Sequence, residues 1–92
     1  MDLEPRNPYF LKQQGFCFYR MKNYEETVRC LSEPFQKDPT DHSVRGAIEK
    51  SYEALGNGEG FLALLEKTQR QHPDYMPLLG MMKKLRKKLG IT

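Results

Sequence analysis

Two cysteines and two histidines are the side chains of this 92-residue chain that could act as nucleophiles, bases or metal ligands. Cys17 and Cys30 form no Cys-X-X-Cys pair, and such sparse cysteine is more typical of buried apolar positions than of a zinc site or a disulfide framework. His42 and His72 stand at predicted helix boundaries, where capping or solvent contact is their ordinary role. The acidic residues show no paired spacing like that of a catalytic dyad. We therefore expect no enzymatic activity and no metal or other cofactor.

The glycine-rich segment Gly56-Asn57-Gly58-Glu59-Gly60 is the other candidate for chemistry, because glycine-rich loops can bind phosphate groups. A phosphate loop of that kind follows a β-strand and opens a helix. Here the segment lies between two predicted helices, so we interpret it as a hairpin turn.

Basic residues are concentrated near the end of the sequence, where five of the 15 lie within six positions: Lys83, Lys84, Arg86, Lys87 and Lys88. The chain as a whole carries a net charge of +3, so without these five it has 10 basic and 12 acidic residues, a net of −2. Leu85 lies inside the run at core spacing, which predicts a packed helix. This helix could contact an acidic protein, a nucleic acid or anionic lipid, or it could be a solvated face whose cations suit a helix C-terminus.

Five helices must position these residues. Apolar residues recur at helical spacing in five segments, and no segment shows the period-2 alternation of a strand, so the chain is predicted to be all-α. Pro34 predicts a kink or an early end of the second helix near Ser32-Glu33, since proline removes a helical hydrogen bond. The predicted helices span 8 to about 21, 24 to about 37, 42–55, about 58–71 and about 75–89.

The second and fourth helices end at prolines 34 residues apart, Pro39 and Pro73, and the residues before them can be superimposed. Phe18 corresponds to Tyr52, and Leu31 to Leu65. The turns Met21-Lys22-Asn23 and Leu55-Gly56-Asn57 also correspond. A period of this length is typical of a repeated helix–turn–helix unit.

These residues resemble the tetratricopeptide repeat (TPR), in which a large apolar residue, a glycine, an aromatic, a small residue and a closing proline recur. The sequence departs from that pattern at Glu49, where a small residue is preferred, and at Thr27 and Phe61, which occupy the small position of the second helix. Pro34 and Thr68 stand where alanine is usual. The matching residues are Leu11, Gly15, Phe18, Tyr24, Leu31 and Pro39 in the first unit, and Ile48, Tyr52, Gly56, Leu65 and Pro73 in the second.

The resemblance implies a right-handed superhelix of two antiparallel helix pairs closed by a C-terminal capping helix. Stacked pairs bury a continuous core, and the basic last helix would give it a polar outer side. The expected organisation is an N-terminal arm at 1–7, two hairpins within 8–74 (about 8–39 and 42–73), and a basic capping helix and tail at 75–92. Such an array could be complete or part of a longer one.

In the TPR family the first helix of each repeat lines a concave groove that takes a partner's peptide segment. Aromatic and cationic groups there suit a segment with acidic and apolar side chains. Carried over by position, the implied partner-binding residues are Tyr9, Lys12, Phe16, Tyr19 and Arg20 in the first repeat, Lys50 and Glu53 with Ala47 in the second, and Lys84, Lys87 and Lys88 with Met81 in the last helix.

We therefore expect a non-catalytic protein-interaction or scaffolding module. One alternative is an adaptor for nucleic acid or an acidic partner that uses Lys83–Lys88, and another is self-association through an exposed repeat end at Leu78 and Met82. No apolar run approaches the ~20 residues of a membrane span, and the N-terminus lacks the pattern of a signal peptide. With its sparse cysteine the chain is expected in the cytoplasm, with the nucleus as the alternative.

Overall fold

The computed structural model describes residues 8–90, which form five α-helices joined by short turns. No strand occurs among these 83 residues, so the all-α prediction is confirmed. No helix in the same range is both long and apolar enough to cross a bilayer. The predicted N-terminal arm (1–7) and residues 91–92 of the predicted tail lie outside the described part of the chain. The helices are α1 (Pro8–Arg20), α2 (Tyr24–Lys37), α3 (His42–Leu55), α4 (Gly58–Gln71) and α5 (Pro77–Leu89).

Local capping explains where most of these helices begin and end. The side chains of Asn23 and Asn57 accept hydrogen bonds from backbone N–H groups in the first turns of α2 and α4. Asp41 does the same for α3, accepting from two backbone N–H groups. Gly56 and Gly90 end α3 and α5 in the left-handed conformation, with φ of 64° and 77°. Because these signals are local, the sequence predicted the ends of α3 and α5 correctly.

The expected early end of α2 at Pro34 is wrong. The helix continues through Pro34 to Lys37, and the backbone N–H of Asp38 donates to the carbonyl of Pro34. An interior proline costs about 3 kcal/mol. Full burial of a large apolar side chain stabilises by about 1.5–3 kcal/mol, and both Leu31 and Phe35 on this helix are completely buried. Burial of the flanking helix face therefore outweighs the local penalty.

The turns of the first and second helix pairs have the same backbone geometry at positions 34 residues apart. Lys22 has φ 60° and Gly56 has φ 64°, so a lysine adopts the left-handed conformation where the second turn has glycine. The backbone N–H of Asn23 donates to Phe18 at 2.9 Å, and that of Asn57 donates to Tyr52 at 3.0 Å. Helices α2 (24–37) and α4 (58–71) begin and end 34 residues apart. The chain thus builds the same helix–turn–helix geometry twice.

The core is formed by apolar side chains of α2, α3, α4 and α5. Leu78 and Met82 of α5 are 0% and 4% exposed, so this helix is packed into the core despite its basic residues. Their burial also means that neither residue offers an exposed surface for self-association, contrary to that expectation. The buried core residues are Leu31, Phe35, Val44, Ala47, Ile48, Phe61, Leu62, Leu64, Leu65, Leu78 and Met82.

The two helix pairs are packed differently. In the first pair, α1 and α2 are in close contact along their length, because Gly15 has no side chain. A Cβ at Gly15 would lie 2.3 Å from Cδ2 of the buried Leu31. In the second pair the corresponding residue is Glu49, and Phe61 replaces the smaller Thr27. Helices α3 and α4 contact each other only sparsely, which leaves space beside them.

Candidate functional site

An open groove with a volume of about 590 Å³ lies where α3, the start of α4 and α5 meet. We call it the α3–α5 groove. Its size is within the range of natural ligand-binding clefts. The lining residues are Arg45, Glu49, Tyr52, Glu53 and Gly56 of α3 and its C-cap, Gly58 and Phe61 of α4, and Met81, Lys84, Leu85, Lys88 and Leu89 of α5.

Aromatic and aliphatic side chains form the apolar part of the groove. The rings of Tyr52 and Phe61 are stacked, with centroids 5.4 Å apart and an angle of 20° between planes. Met81, Leu85 and Leu89, spaced one helical turn apart on α5, are half-buried and pack against the core. An apolar surface that stays partly open beside a packed core is a common mark of an interaction site.

Tyr52 also gives this apolar surface a polar group. Desolvation raises the pKa of its phenol above the ordinary value, and a side-chain hydrogen bond with Ser32 opposes that rise only in part. The hydroxyl therefore stays protonated at neutral pH. Tyr52 thus joins α3 to α2 at one end and presents its ring to the groove at the other.

Gly58 allows the end of α5 to close one side of the groove. A Cβ at this position would lie 2.7 Å from Cδ2 of Leu89. Leu89 therefore packs directly over the first residue of α4, and Gly90 ends α5 immediately afterwards. The glycine-rich segment between α3 and α4, which we interpreted as a turn, also makes room for α5.

The polar walls of the groove carry opposite charges. Glu49 and Glu53 lie one turn apart on α3, and Lys84 and Lys88 lie one turn apart on α5. All four side chains are exposed. In the described part of the chain, none of them forms an ion pair within 4 Å. The groove therefore presents two acidic and two basic groups with unused bonding capacity.

Three of the ten predicted partner-binding residues line this groove, namely Glu53, Lys84 and Lys88. Met81, which was expected to extend the same wall, is there too. The five residues expected from α1 are not part of it: Tyr9, Lys12, Phe16, Tyr19 and Arg20. The tight contact between Gly15 and Leu31 leaves no comparable gap between α1 and α2. The structure thus brings together the α3 and α5 residues and separates them from the α1 set.

Lys12 is engaged within the chain. Its Nζ lies 2.5 Å from Oδ2 of Asp41, the residue that caps α3. This bond, together with the backbone N–H groups of Ser43 and Val44, holds the pKa of the Asp41 carboxyl below its usual value, although partial burial works against it. Lys12 therefore ties α1 to the start of α3.

The remaining predicted residues have varied surroundings. Phe16 and Tyr19 are half-buried against the core, and the Tyr19 ring meets Tyr24 edge-on at 6.3 Å. Ala47 was expected in the groove, but it is buried at 4% exposure because it faces the core. The other residues of the predicted set, Tyr9, Arg20, Lys50 and Lys87, are exposed.

Sequence reasoning missed the aromatic pair Tyr52–Phe61 and the acidic residue Glu49 as groove residues. A signal for two of them was present. Glu49 and Phe61 are the positions at which the second repeat departs from the small residues of the family pattern. Bulky side chains at a helix–helix contact must keep the helices apart, and here the resulting gap is the groove.

The residues considered for chemistry are dispersed over the surface and the core. His42 Nδ1 lies 3.0 Å from the Arg45 guanidinium, and His72 Nε2 lies 2.5 Å from the carbonyl of Gln36. Cys17 is exposed, whereas Cys30 is buried and its thiol pKa is raised by desolvation. Over residues 8–90, no three His, Cys, Asp or Glu side chains come together in a way that could hold a metal ion.

No protein-family model, no curated protein and no solved structure matches the chain. The α3–α5 groove and the repeated turn geometry are therefore the basis for a function.

Proposed function

We propose that this protein is a non-catalytic interaction module that binds a segment of a partner protein in the α3–α5 groove. The observation that carries the proposal is the combination of an apolar surface and four unpaired charged side chains in one open groove. Protein-binding sites commonly have an apolar centre with a polar, solvent-accessible rim. The open shape suits a chain segment that can continue beyond both ends of the groove.

We further propose that the helix pairs are two TPR-like repeats followed by a capping helix, in a right-handed superhelix. Support comes from the 34-residue offset of α2 and α4, from the matching left-handed residues Lys22 and Gly56, and from the matching caps Asn23 and Asn57. In this arrangement α3 and α5 are first helices of their units. The groove between them is then part of the concave side of the array.

A binding role fits the surroundings of the histidines better than a catalytic one. His42 contacts Arg45 and His72 contacts the backbone carbonyl of Gln36. Both side chains therefore act at helix ends, and neither lines the α3–α5 groove.

The proposal is tested by selecting ligands from a random peptide library displayed on phage and measuring their affinity for paired variants of the full chain. Lys84→Glu with Lys88→Glu changes two groove residues. Lys83→Glu with Lys87→Glu makes the same charge change at the same spacing on the same helix, outside the groove. We expect the groove pair to weaken the selected peptides by about tenfold, as two contacts change from attraction to repulsion, and the outer pair to have little effect.

The basic helix also supports the nucleic-acid alternative, because all five of its cations are exposed, including Lys83 and Lys87 outside the groove. Binding through phosphate contacts would be weakened similarly by both variant pairs and would fall steeply with salt. Equal loss in the two pairs, with a strong salt dependence, would contradict the groove proposal. Circular dichroism of each variant establishes that the fold is retained.

A further inference from the structure

Different chemical groups lie on three sides of the α3–α5 groove. The apolar surface of Tyr52, Phe61 and the α5 leucines forms one side. The acidic wall of Glu49 and Glu53 and the basic wall of Lys84 and Lys88 form the other two. A ligand that satisfies the whole groove must therefore present apolar, basic and acidic groups in three directions around its axis.

Only one regular backbone conformation does this. Side chains of a strand point to two opposite faces, so a strand can meet two of the three sides. Side chains of an α-helix project every 100° around the axis, so one helix can place an apolar stripe between two polar edges. Neighbouring charges on each wall are one helical turn apart, about 6 Å, which is also the spacing of i and i+4 side chains on a partner helix.

The opposite charges of the two walls also restrict the partner. Arg45, at the other end of the acidic wall, is engaged with His42 at 3.0 Å, and Arg86 of α5 faces Glu66 at 3.7 Å outside the groove. The charges that remain without a partner are therefore Glu49, Glu53, Lys84 and Lys88. A ligand that was acidic on both edges would place like charges against α3.

We propose that the occupant of the α3–α5 groove is an amphipathic helix of a partner protein, with basic side chains along one edge of its apolar face and acidic side chains along the other. This inference rests on the proposed function and specifies the chemistry of the partner. It goes beyond the family-based expectation of an acidic and apolar segment, because the acidic wall requires a basic edge on the ligand.

The test uses three synthetic helices of about 15 residues, the length at which isolated helices begin to form in water. All share one apolar face. One peptide has an acidic and a basic edge, one has two acidic edges and one has two basic edges. Binding to the full chain is measured by fluorescence anisotropy, for the native sequence and for two groove variants, Glu49→Lys with Glu53→Lys and Lys84→Glu with Lys88→Glu.

We expect the native chain to prefer the mixed-edge helix by about fivefold to tenfold. The preference should move to the acidic helix when both walls are basic, and to the basic helix when both walls are acidic. Glu33→Lys with Glu59→Lys is the matched control for the first variant, because it makes the same net charge change at exposed positions outside the groove. This control should keep the native preference.

Three results would overturn the inference. They are equal binding of the three helices, preference of the native chain for the acidic helix, and no binding of any helix. Failure of the proposed function is recognised separately. It requires that peptides selected from the random library are insensitive to Lys84→Glu with Lys88→Glu, whatever their own conformation.

Discussion

Gly15 is the point of closest approach between α1 and α2, and its replacement by alanine measures how tightly the first helix pair is packed. A Cβ at Gly15 would lie 2.3 Å from Cδ2 and 2.5 Å from Cγ of Leu31, which is fully buried. Gly46, in α3, is the matched control, because a Cβ there would have no neighbour within 4 Å. Both glycines are inside helices, so both substitutions gain about 1 kcal/mol of helix propensity.

The two variants should differ in stability by the steric term alone. Inserting a methyl group into a packed core costs about 1–3 kcal/mol. Gly15→Ala should therefore lower the free energy of unfolding by about 0–2 kcal/mol once the propensity gain is subtracted. Gly46→Ala should raise it by about 1 kcal/mol. The difference between them, in which propensity cancels, is about 1–3 kcal/mol.

Urea unfolding followed by circular dichroism gives both free energies, and an unchanged m-value shows that the denatured state is not altered. If Gly15→Ala is as stable as Gly46→Ala, Leu31 is not seated against α1. The explanation of why a groove forms in the second helix pair and not in the first would then be wrong.

Further predictions concern a cap, a turn and the two thiols. Asp41→Ala should lower stability by about 1–2 kcal/mol at neutral pH, through loss of the α3 cap and of the Lys12 contact. Because the folded-state pKa of Asp41 is lowered, its carboxylate stabilises the fold above the unfolded pKa of about 4, and this contribution is lost as the pH falls through the folded value; urea unfolding at pH 7 and near pH 2 should show the variant's deficit shrinking in acid. Lys22→Gly should raise the unfolding temperature, since relief of the left-handed lysine is worth about 1 kcal/mol, and a lower melting temperature would contradict that geometry. Cys17 should react rapidly with a thiol reagent in the native state, whereas Cys30 should react only after unfolding; equal rates would show that the buried thiol is accessible.

Helix boundaries were predictable because their causes are local. Asn57 follows a glycine and precedes an apolar run, and Gly90 follows the last core residue of α5, so each can be recognised without knowledge of the fold. The exception is Pro34, where the local rule predicted a kink or an early end. Its effect there is outweighed by burial of the neighbouring face of α2, which depends on α3 and α4.

The groove was less predictable because it depends on distances between helices. Position in a repeat correctly brought Glu53, Lys84 and Lys88 to one surface, but it also placed Lys12 and Ala47 there. The actual environment of Lys12 is set by Asp41, 29 residues away, and that of Ala47 by the core. The departures at Glu49 and Phe61 were visible in the sequence, yet their consequence appears only when the two helix pairs are compared in three dimensions.

The claim that the α3–α5 groove binds a partner segment is tested most directly by an NMR titration of the full chain with a library-selected peptide. Backbone amide shifts report the position of the ligand without any substitution in the protein. We predict that the largest changes fall within residues 49–61 and 81–89, with small changes in α1 and in the first turns of α2. Shift changes centred on α1 and α2, or spread evenly over all five helices, would contradict the claim.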